Sequence, residues 1–492
     1  MAIVRMSSAA LVASLLGVSV VEGAVRTHEQ RVAAGECAGA ADGIEEYFPL
    51  SWLAPFRATY SPQVAAIDDP IRSAELIDIQ YGATFKVLTE SFSKEQYVLT
   101  QCGNAQPDAA AVDQLKALPA GYTRKYFFVP LQAVAAESTV QLGFLEELGL
   151  IDRVTYVSQY AVGACWQKAI GCGGQVEGSN ATRRDAQRSE VDAVFADCPW
   201  DYAAGAPDCA ALHPIANAVH FSASQDPAPL SSAEHVKFMA AFFNKEEEAM
   251  SLFAAKVSTM QAFKDGLAAG AAAPVVAWVA LSWDGKSAQV STAAYKRLLV
   301  EYAGGRNVNE TAVKAAMGDA MSVDLSTNHA AFVAAMGGVD AVVDETYSSN
   351  VPAYNFDTFL AGFGLTAETD LPFIRDRKVF RVDADISGTS NLDWFESRLA
   401  NPAQAVEGLR RVLTPDASRP RKFFRNIALG EAAAAVGQDS CARAMLACGT
   451  SELPAALPMI HDVGQQEDPV SSAPRHLAPL ASALMLLLVP SL

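Results

Sequence analysis

The sequence lacks the motifs by which common enzyme classes are recognised. Its 492 residues contain no GxSxG elbow, no HExxH and no P-loop, the motifs of serine hydrolases, zinc proteases and nucleotide-binding enzymes. Gly362 and Gly364 have the spacing of a dinucleotide loop but follow a helical pattern, which indicates a helix end. Asp344 and Glu345 could act as acid and base. However, adjacent residues on a strand point to opposite faces of the sheet, so these two carboxylates cannot easily share a substrate. We expect a binding protein rather than an enzyme, with a secreted hydrolase as the alternative.

Basic residues and metal ligands are also scarce. The formal net charge is −18 and no basic stripe offsets it, so the chain does not suit the phosphate backbone of a nucleic acid. The seven histidines are scattered and no CxxC spacing occurs, which argues against a zinc cluster. We therefore expect neither a nucleic-acid partner nor a bound metal ion.

The sequence contains eight cysteines, an even number that is compatible with complete pairing in disulfides. Outside the cell, disulfides are the expected state of such a set. Three pairs are close in sequence, and the last of them is expected to staple a terminal helix: Cys165 and Cys172, Cys198 and Cys209, Cys441 and Cys448. Two glycosylation sequons begin at Asn180 and Asn309.

Both ends of the chain carry apolar segments. Arg5, the apolar run 9–21 and the small residues Gly23 and Ala24 predict a signal peptide over 1–23. At the other end, small residues from Ser471, a short polar spacer and the apolar stretch 477–492 predict a GPI-anchor signal over 471–492. A single-pass tail and a hydrophobic C-terminal helix are the alternatives. The two signals predict a secreted glycoprotein that is lipid-anchored at the cell surface.

The residues between these ends predict two lobes. A first α/β lobe over 24–230 has predicted strands at 126–129, 154–157, 191–195 and 215–221, and a predicted helix over 140–148. Apolar strands that alternate with helices indicate a parallel sheet covered on both faces. An antiparallel hairpin is predicted from the segments 85–88 and 96–99.

A segment without Pro or Gly follows and predicts one long helix over 231–266. Ser231 and Glu234 have capping-box spacing, and such a helix would brace the two lobes. Two helices with a break near 245–248 are the alternative. A second α/β lobe is predicted over 267–430, with strands at 274–281, 339–344 and 379–382, and a disulfide-stapled tail and stalk over 431–470. The predicted fold is thus two doubly wound α/β lobes joined by one long rigid helix, with a ligand cleft between them.

Candidate ligand-binding residues follow the predicted strands, because ligands of open α/β sheets bind beyond the carboxyl ends of the strands. Ser390 and Asp393 have capping-box spacing, which puts Trp394 and Phe395 in a first helical turn at the cleft mouth. One of these two aromatic residues is expected to stack on a flat ligand and the other to be core. Glu396 either accepts hydrogen bonds from amide groups or favours the helix dipole. The remaining candidates occupy equivalent loops: Trp283, Tyr347, Ser138, Thr139 and Tyr160.

Several of these segments together resemble a known fold family. They are the segment 127–149, the stretch Phe242-Phe243-Asn244-Lys245-Glu246, the strand 340–347, and the segment from Lys378 to Asp393-Trp394-Phe395-Glu396. They are similar to periplasmic-binding-protein-like proteins of the class whose lobes are joined by one helix, which capture cobalamin, haem and iron-siderophores for uptake. Among eukaryotic proteins, the chain most resembles algal cobalamin acquisition proteins.

This resemblance implies a surface receptor that binds cobalamin, or a related large tetrapyrrole-like ligand, and hands it to a membrane uptake partner. It implies no catalytic cofactor. A haem-binding or siderophore-binding protein of the same fold is the alternative, because a cleft lined by aromatic residues suits all three ligands.

Overall fold

The computed structural model describes residues 27–37 and 71–441, apart from 173–174, 177, 179, 202, 268–272, 389 and 415–420. The predicted signal peptide and anchor signal lie outside these residues, as does Cys448. Within the described part of the chain, no helix is long and apolar enough to cross a membrane.

The first lobe contains a four-stranded sheet, a five-stranded sheet, a two-stranded sheet and the helices that cover them. Its strands are β1 (Ile77–Tyr81), β2 (Phe85–Glu90), β3 (Glu95–Gln101), β4 (Thr123–Val129), β5 (Val134–Ala136), β6 (Val154–Val157), β7 (Gln175–Val176), β8 (Ala193–Ala196), β9 (Trp200–Asp201), β10 (Ala206–Pro207) and β11 (Ala218–His220). Its helices are α1 (His28–Ala33), α2 (Ala109–Leu115), α3 (Thr139–Glu147), α4 (Ala164–Gly171) and α5 (Ala181–Arg188).

The larger sheet of this lobe is parallel, as the sequence predicted. Its strand order is β11-β8-β5-β6-β7, and every neighbouring pair runs parallel. The predicted hairpin is confirmed as β2 and β3. The strand predicted at 126–129 is not in the parallel sheet; as β4 it pairs with β3 beside the hairpin. Its expected place is taken by β5, which has only three small or β-branched residues and shows no periodicity.

Two helices, not one, connect the lobes. They are α6 (Pro229–Ala241) and α7 (Glu246–Asp265), so the predicted single helix over 231–266 is wrong. Asn244 adopts a left-handed backbone conformation at φ 54°, which Asn tolerates and which ends a helix. Its side chain is held by Gln101 and by Lys86. Three glutamates then open α7, where they favour the helix dipole.

The predicted capping box at the start of this region is also absent. The helix begins at Pro229, since Pro suits the first helical position, and this places Ser231 and Glu234 inside it. Ser231 donates to the carbonyl of Ser73, and Glu234 accepts from the backbone N–H groups of residues 72–74.

The helix α7 carries out the bracing that was predicted for the longer helix. Phe253 belongs to the core of the first lobe, whereas Met260, two turns later, packs in the second. Its 20 residues span about 30 Å at 1.5 Å per residue.

The second lobe is built on a seven-stranded mixed sheet, with a separate three-stranded sheet beside it in sequence. Its strands are β12 (Val275–Leu281), β13 (Ser287–Ser291), β14 (Arg306–Asn307), β15 (Ser322–Asp324), β16 (Ala341–Asp344), β17 (Val379–Arg381), β18 (Asp385–Ser387), β19 (Asn391–Leu392), β20 (Arg425–Asn426) and β21 (Ala434–Ala435). Its helices are α8 (Ala294–Ala303), α9 (Glu310–Met317), α10 (Leu325–Met336), α11 (Phe356–Gly362), α12 (Pro372–Arg375), α13 (Asp393–Ser397) and α14 (Pro402–Leu413). The order β15-β13-β12-β16-β17-β20 has a parallel centre, β12-β16-β17, and antiparallel flanks.

The cysteines form disulfides, but of the three pairs that are close in sequence only one is bonded, so the expected staple between Cys441 and Cys448 is wrong. Cys198 bonds to Cys209 as its position suggested, whereas Cys441 bonds to Cys165 and not to Cys448. Cys37 bonds to Cys102. The Cys165–Cys441 bond ties α4 of the first lobe to the segment that follows the second lobe.

Candidate functional site

The two lobes meet at the carboxyl ends of their sheets. The loop 158–163, which follows β6, contacts the segment that follows β17. The hydroxyl of Ser387 donates to the carbonyl of Ala161 at 3.0 Å. The backbone N–H groups of Val162 and Gly163 donate to the carboxyl group of Glu396 at 2.6 and 2.8 Å. We call this set of contacts the lobe seam. The loops after the other parallel strands therefore belong to the same edge of each sheet, where a ligand would bind.

The second lobe presents an aromatic pair at this edge. Trp283 follows β12 and is 59% exposed, and its ring centroid lies 4.9 Å from that of Tyr347, which follows β16. The two loops are joined because the backbone N–H of Leu281 donates to the hydroxyl of Thr346 at 3.0 Å. These two predicted residues are thus brought together on adjacent loops, with aromatic surface open to solvent.

A buried charge network fixes the loop that carries Tyr347. The guanidinium of Arg381 donates to Asp344 and Asp383 at 2.5 Å each, and to the carbonyl of Thr346 at 2.7 Å. Arg425 also donates to Asp383, at 2.8 and 3.0 Å. Burial acts to raise the pKa of Asp383, but the two guanidinium groups outweigh it and the pKa is lowered. Each buried charge is paired, as a stable network requires.

The first lobe presents polar groups at its own edge. Ser138 caps α3: its hydroxyl accepts from the backbone N–H of Val140 at 3.3 Å, and the Gln141 side chain accepts from its backbone N–H. The Ser138 and Thr139 side chains are almost fully buried. Tyr160, in the loop after β6, is half-buried.

Asp197, directly after β8, was missed by the sequence prediction. Burial raises the pKa of Asp197, while its hydrogen bonds to Ser138 and Gln141 act against that rise. The sequence does contain a signal for Asp197, because Asp197 is the first polar residue after an apolar strand.

Trp394 does not lie at the cleft mouth; it is the member of the aromatic pair that belongs to the core. Its side chain is 1% exposed and stacks on Trp278 at 5.8 Å, with Phe423 and Phe424 packed edge-on. The expected capping box at Ser390 is also absent, since Leu392 precedes α13 without a side-chain cap. Phe395 is half-buried against the same core.

Glu396 does accept hydrogen bonds from amide groups, those of the backbone at the start of α4. Its side chain is fully buried, and burial raises the pKa of Glu396 to about 8. The negative charges of Asp393 and Glu146 act in the same direction, whereas the two backbone hydrogen bonds act in the opposite one.

A cavity of about 490 Å³ lies beside the seam, between helices α3 and α4 of the first lobe and the α13–α14 and β21 segments. Five carboxylates and one lysine line it: Glu146, Glu147, Asp385, Asp393, Glu396 and Lys422. Lys422 pairs with Asp393 and, at 3.4 Å, with Asp385. Glu396 thus lines one wall of this cavity.

One group of potential metal ligands occurs among the described residues. The side-chain atoms of Cys198, Cys209 and His220 lie within 4.8 Å of one another. The two cysteines are joined in a disulfide, so they offer no thiolate to a metal ion. His220 is also engaged, with its Nδ1 atom 3.1 Å from Glu90.

Comparison with known proteins gives matches among solved structures only. The chain is similar to a periplasmic haem-binding protein from Vibrio cholerae, with a TM-score of 0.42 and 12% identity over 58% of this chain and 99% of that one. It is similar to a periplasmic haem-binding protein from Pseudomonas aeruginosa, with a TM-score of 0.41 and 13% identity over 60% of this chain and 98% of that one. It is also similar to a possible iron-binding, periplasmic solute-binding protein from Staphylococcus epidermidis, with a TM-score of 0.41 and 10% identity over 57% of this chain and 98% of that one. No protein-family model and no curated protein matches the chain. The sheet topology described above defines the two-lobe α/β fold.

Proposed function

We propose that this protein is a non-enzymatic receptor that captures one cobalamin molecule between its lobes and passes it to a membrane uptake partner. The observation that supports this proposal is the chemistry of the loops at the carboxyl ends of the sheets. They combine the exposed Trp283–Tyr347 pair with many hydroxyl and carboxyl groups.

Charge favours cobalamin over the alternatives. In the described loops that follow β5, β6, β8, β11, β12, β16 and β17, the one cationic residue is Lys286, which lies 3.5 Å from Asp284. Haem carries two propionates and ferric siderophores are commonly anionic, so neither finds a free cation in these loops. The corrin ring bears neutral amide groups, which donate hydrogen bonds to carboxylates and hydroxyls. Its flat, apolar face suits an aromatic pair.

Haem is the second candidate, and Tyr347 favours it. A tyrosine phenolate is a known axial ligand of haem iron, and this half-buried side chain stands at the edge of the cleft.

Absorption spectroscopy and calorimetry test the assignment. The purified protein is mixed separately with aquacobalamin, haem and a ferric siderophore. We expect saturation at one cobalamin per chain and recovery of the ligand unchanged. Saturation with haem alone would transfer the assignment to the second candidate, and conversion of a ligand into product would indicate an enzyme.

We also propose that the protein is attached to the cell surface through a lipid that replaces the 471–492 segment. A phosphatidylinositol-specific phospholipase should release it from intact cells. Retention on the membrane, together with an intact C-terminal peptide in mass spectrometry, would reject the anchor.

A further inference from the structure

The two glycosylation sequons begin at residues that cap helices. Asn180 directly precedes α5 and Asn309 directly precedes α9, and both side chains are exposed. The amide oxygen Oδ1 of Asn180 accepts from the backbone N–H of Arg183 at 2.9 Å. In the same way, Oδ1 of Asn309 accepts from the backbone N–H of Ala312 at 3.0 Å. Each asparagine therefore caps its helix through the oxygen of its side-chain amide.

The nitrogen of each of these amides is left for modification. Within the described part of the chain, Nδ2 of Asn180 and Nδ2 of Asn309 donate no hydrogen bond. Other asparagines do use Nδ2, each to donate to a nearby carbonyl group: Asn104, Asn217, Asn244, Asn307 and Asn426. Because an N-linked glycan is attached through Nδ2, the fold accepts one at either sequon without loss of a hydrogen bond.

Two further observations agree with glycosylation. The described residues include three disulfide bonds, which form in an oxidising compartment such as the secretory route where N-linked glycans are added. The hydroxyl residues at the third sequon position, Thr182 and Thr311, are exposed as well.

We propose that Asn180 and Asn309 each carry an N-linked oligosaccharide on Nδ2 while Oδ1 continues to cap the helix. In the transfer, Nδ2 forms a bond to the anomeric carbon of an oligosaccharide that is held on a lipid pyrophosphate. The bond from that carbon to the pyrophosphate breaks, the leaving group keeps the electron pair, and one amide proton passes to a base of the transferase. The carbonyl of the amide is unchanged, so the acceptor of the cap survives. This inference is independent of the ligand assignment.

Isotope labelling tests the occupancy of the two sites. The full chain is purified from cultured mammalian cells and treated with a peptide-N-glycosidase in water enriched in heavy oxygen, which converts each glycosylated asparagine into a labelled aspartate. We expect peptide mass spectrometry to find the label at Asn180 and Asn309. Asn355 is the matched control, because it is exposed and caps α11 by accepting from the Thr358 N–H at 3.0 Å, but it begins no sequon. Absence of label at either sequon, or equal label at Asn355, would overturn the proposal.

The third sequon position gives a second test of occupancy. Thr311→Ala should abolish the label at Asn309 and leave the label at Asn180, because the sequon requires a hydroxyl residue there. Thr311→Ser keeps the hydroxyl and should retain both labels. Label at Asn309 in Thr311→Ala would show that it does not come from an N-linked glycan, and would overturn the proposal.

Hydrogen exchange tests whether the glycosylated amide still caps α9. Asn309→Asp keeps an acceptor oxygen but cannot carry a glycan, whereas Asn309→Ala removes both. We expect the Ala312 N–H, corrected for intrinsic exchange, to be equally protected in the glycosylated parent and in Asn309→Asp, and to exchange faster in Asn309→Ala. If the glycosylated parent exchanged as fast as Asn309→Ala, the glycan would displace the cap and the proposal would fail.

Discussion

Trp283 and Tyr347 form an aromatic pair between the loops that follow two adjacent parallel strands, with ring centroids 4.9 Å apart. The hydrogen bond between the Leu281 N–H and Thr346 holds these loops together, and Arg381 fixes the second loop from within the core. The pair thus forms an exposed aromatic surface, on which we propose that a flat ligand stacks.

Replacement of either ring should weaken ligand binding without loss of stability. We expect Trp283→Ala and Tyr347→Ala each to cost about 0.5–1.5 kcal/mol of binding, roughly two- to tenfold in affinity. Because Trp283 is exposed, the free energy of unfolding of Trp283→Ala should lie within about 0.5 kcal/mol of the parent value. Calorimetry and thermal unfolding on the same samples check both values.

Leu429→Ala is the matched control, since Leu429 is an equally exposed apolar side chain that follows β20. Its affinity should equal that of the parent. Unchanged affinity in both aromatic variants, or an equal loss of affinity in the control, would show that the pair is not part of the binding site.

Trp394→Ala should act on stability instead. Truncation of a fully buried Trp leaves a cavity, and we expect a loss of about 3–5 kcal/mol in the free energy of unfolding. Urea titration measures this loss, with Trp283→Ala as the exposed comparison. If Trp394→Ala unfolded at the parent's urea concentration but bound ligand poorly, the residue would belong to the cleft after all.

The alternation of strands and helices made much of the fold predictable. The strand at 154–157 is confirmed with the predicted bounds, and the strands at 274–281 and 339–344 are confirmed to within two residues. Each is an apolar run that the local pattern defines. The break at Asn244 had a signal as well, an Asn and a Lys followed by three glutamates. The apolar periodicity continues across it, however, and favoured one helix.

The candidate site was less predictable because it depends on how the lobes close. The spacing of Trp394, Phe395 and Glu396 gives their directions around a helix but not which of them meets the other lobe. Gly143 lets α13 come close to α3, and this approach puts Glu396 at the seam and Trp394 in the core. Likewise, the spacing of the cysteines does not determine their pairing, so the long-range Cys165–Cys441 bond had no local signal.

The Cys165–Cys441 disulfide should contribute more to stability than Cys198–Cys209. It closes a loop with a sequence separation of 276, compared with 11 for the shorter one, and the entropy removed from the unfolded chain increases with loop length. We expect the double variant Cys165→Ala/Cys441→Ala to lose about 2–5 kcal/mol, measured by urea unfolding.

The double variant Cys198→Ala/Cys209→Ala is the control and should lose less. An equal or larger loss in the control would show that local packing, and not loop closure, determines the contribution of these bonds.

Glu90 should make the first lobe sensitive to acid. Its buried carboxylate, at the end of β2, accepts from Ser93 and from the ring of His220. Burial acts to raise the pKa of Glu90, but the hydrogen bond and charge of His220, with the bonds from Ser93, outweigh it and lower the pKa to about 2. A carboxyl group with a lowered folded-state pKa contributes stability above its unfolded value of 4.5 and loses it as the pH falls toward 2.

This contribution is about 3 kcal/mol at neutral pH, from 1.36 kcal/mol per pKa unit. Glu90→Gln cannot ionise, so it should be less stable than the parent at pH 7, and the difference should shrink as the pH falls from about 4.5 to 2. Urea unfolding of both proteins across this range measures the difference. Glu310→Gln, which removes one member of an exposed ion pair with Lys314, should stay close to the parent at every pH. A difference between Glu90→Gln and the parent that is constant with pH would mean that Glu90 contributes through packing and not through its charge.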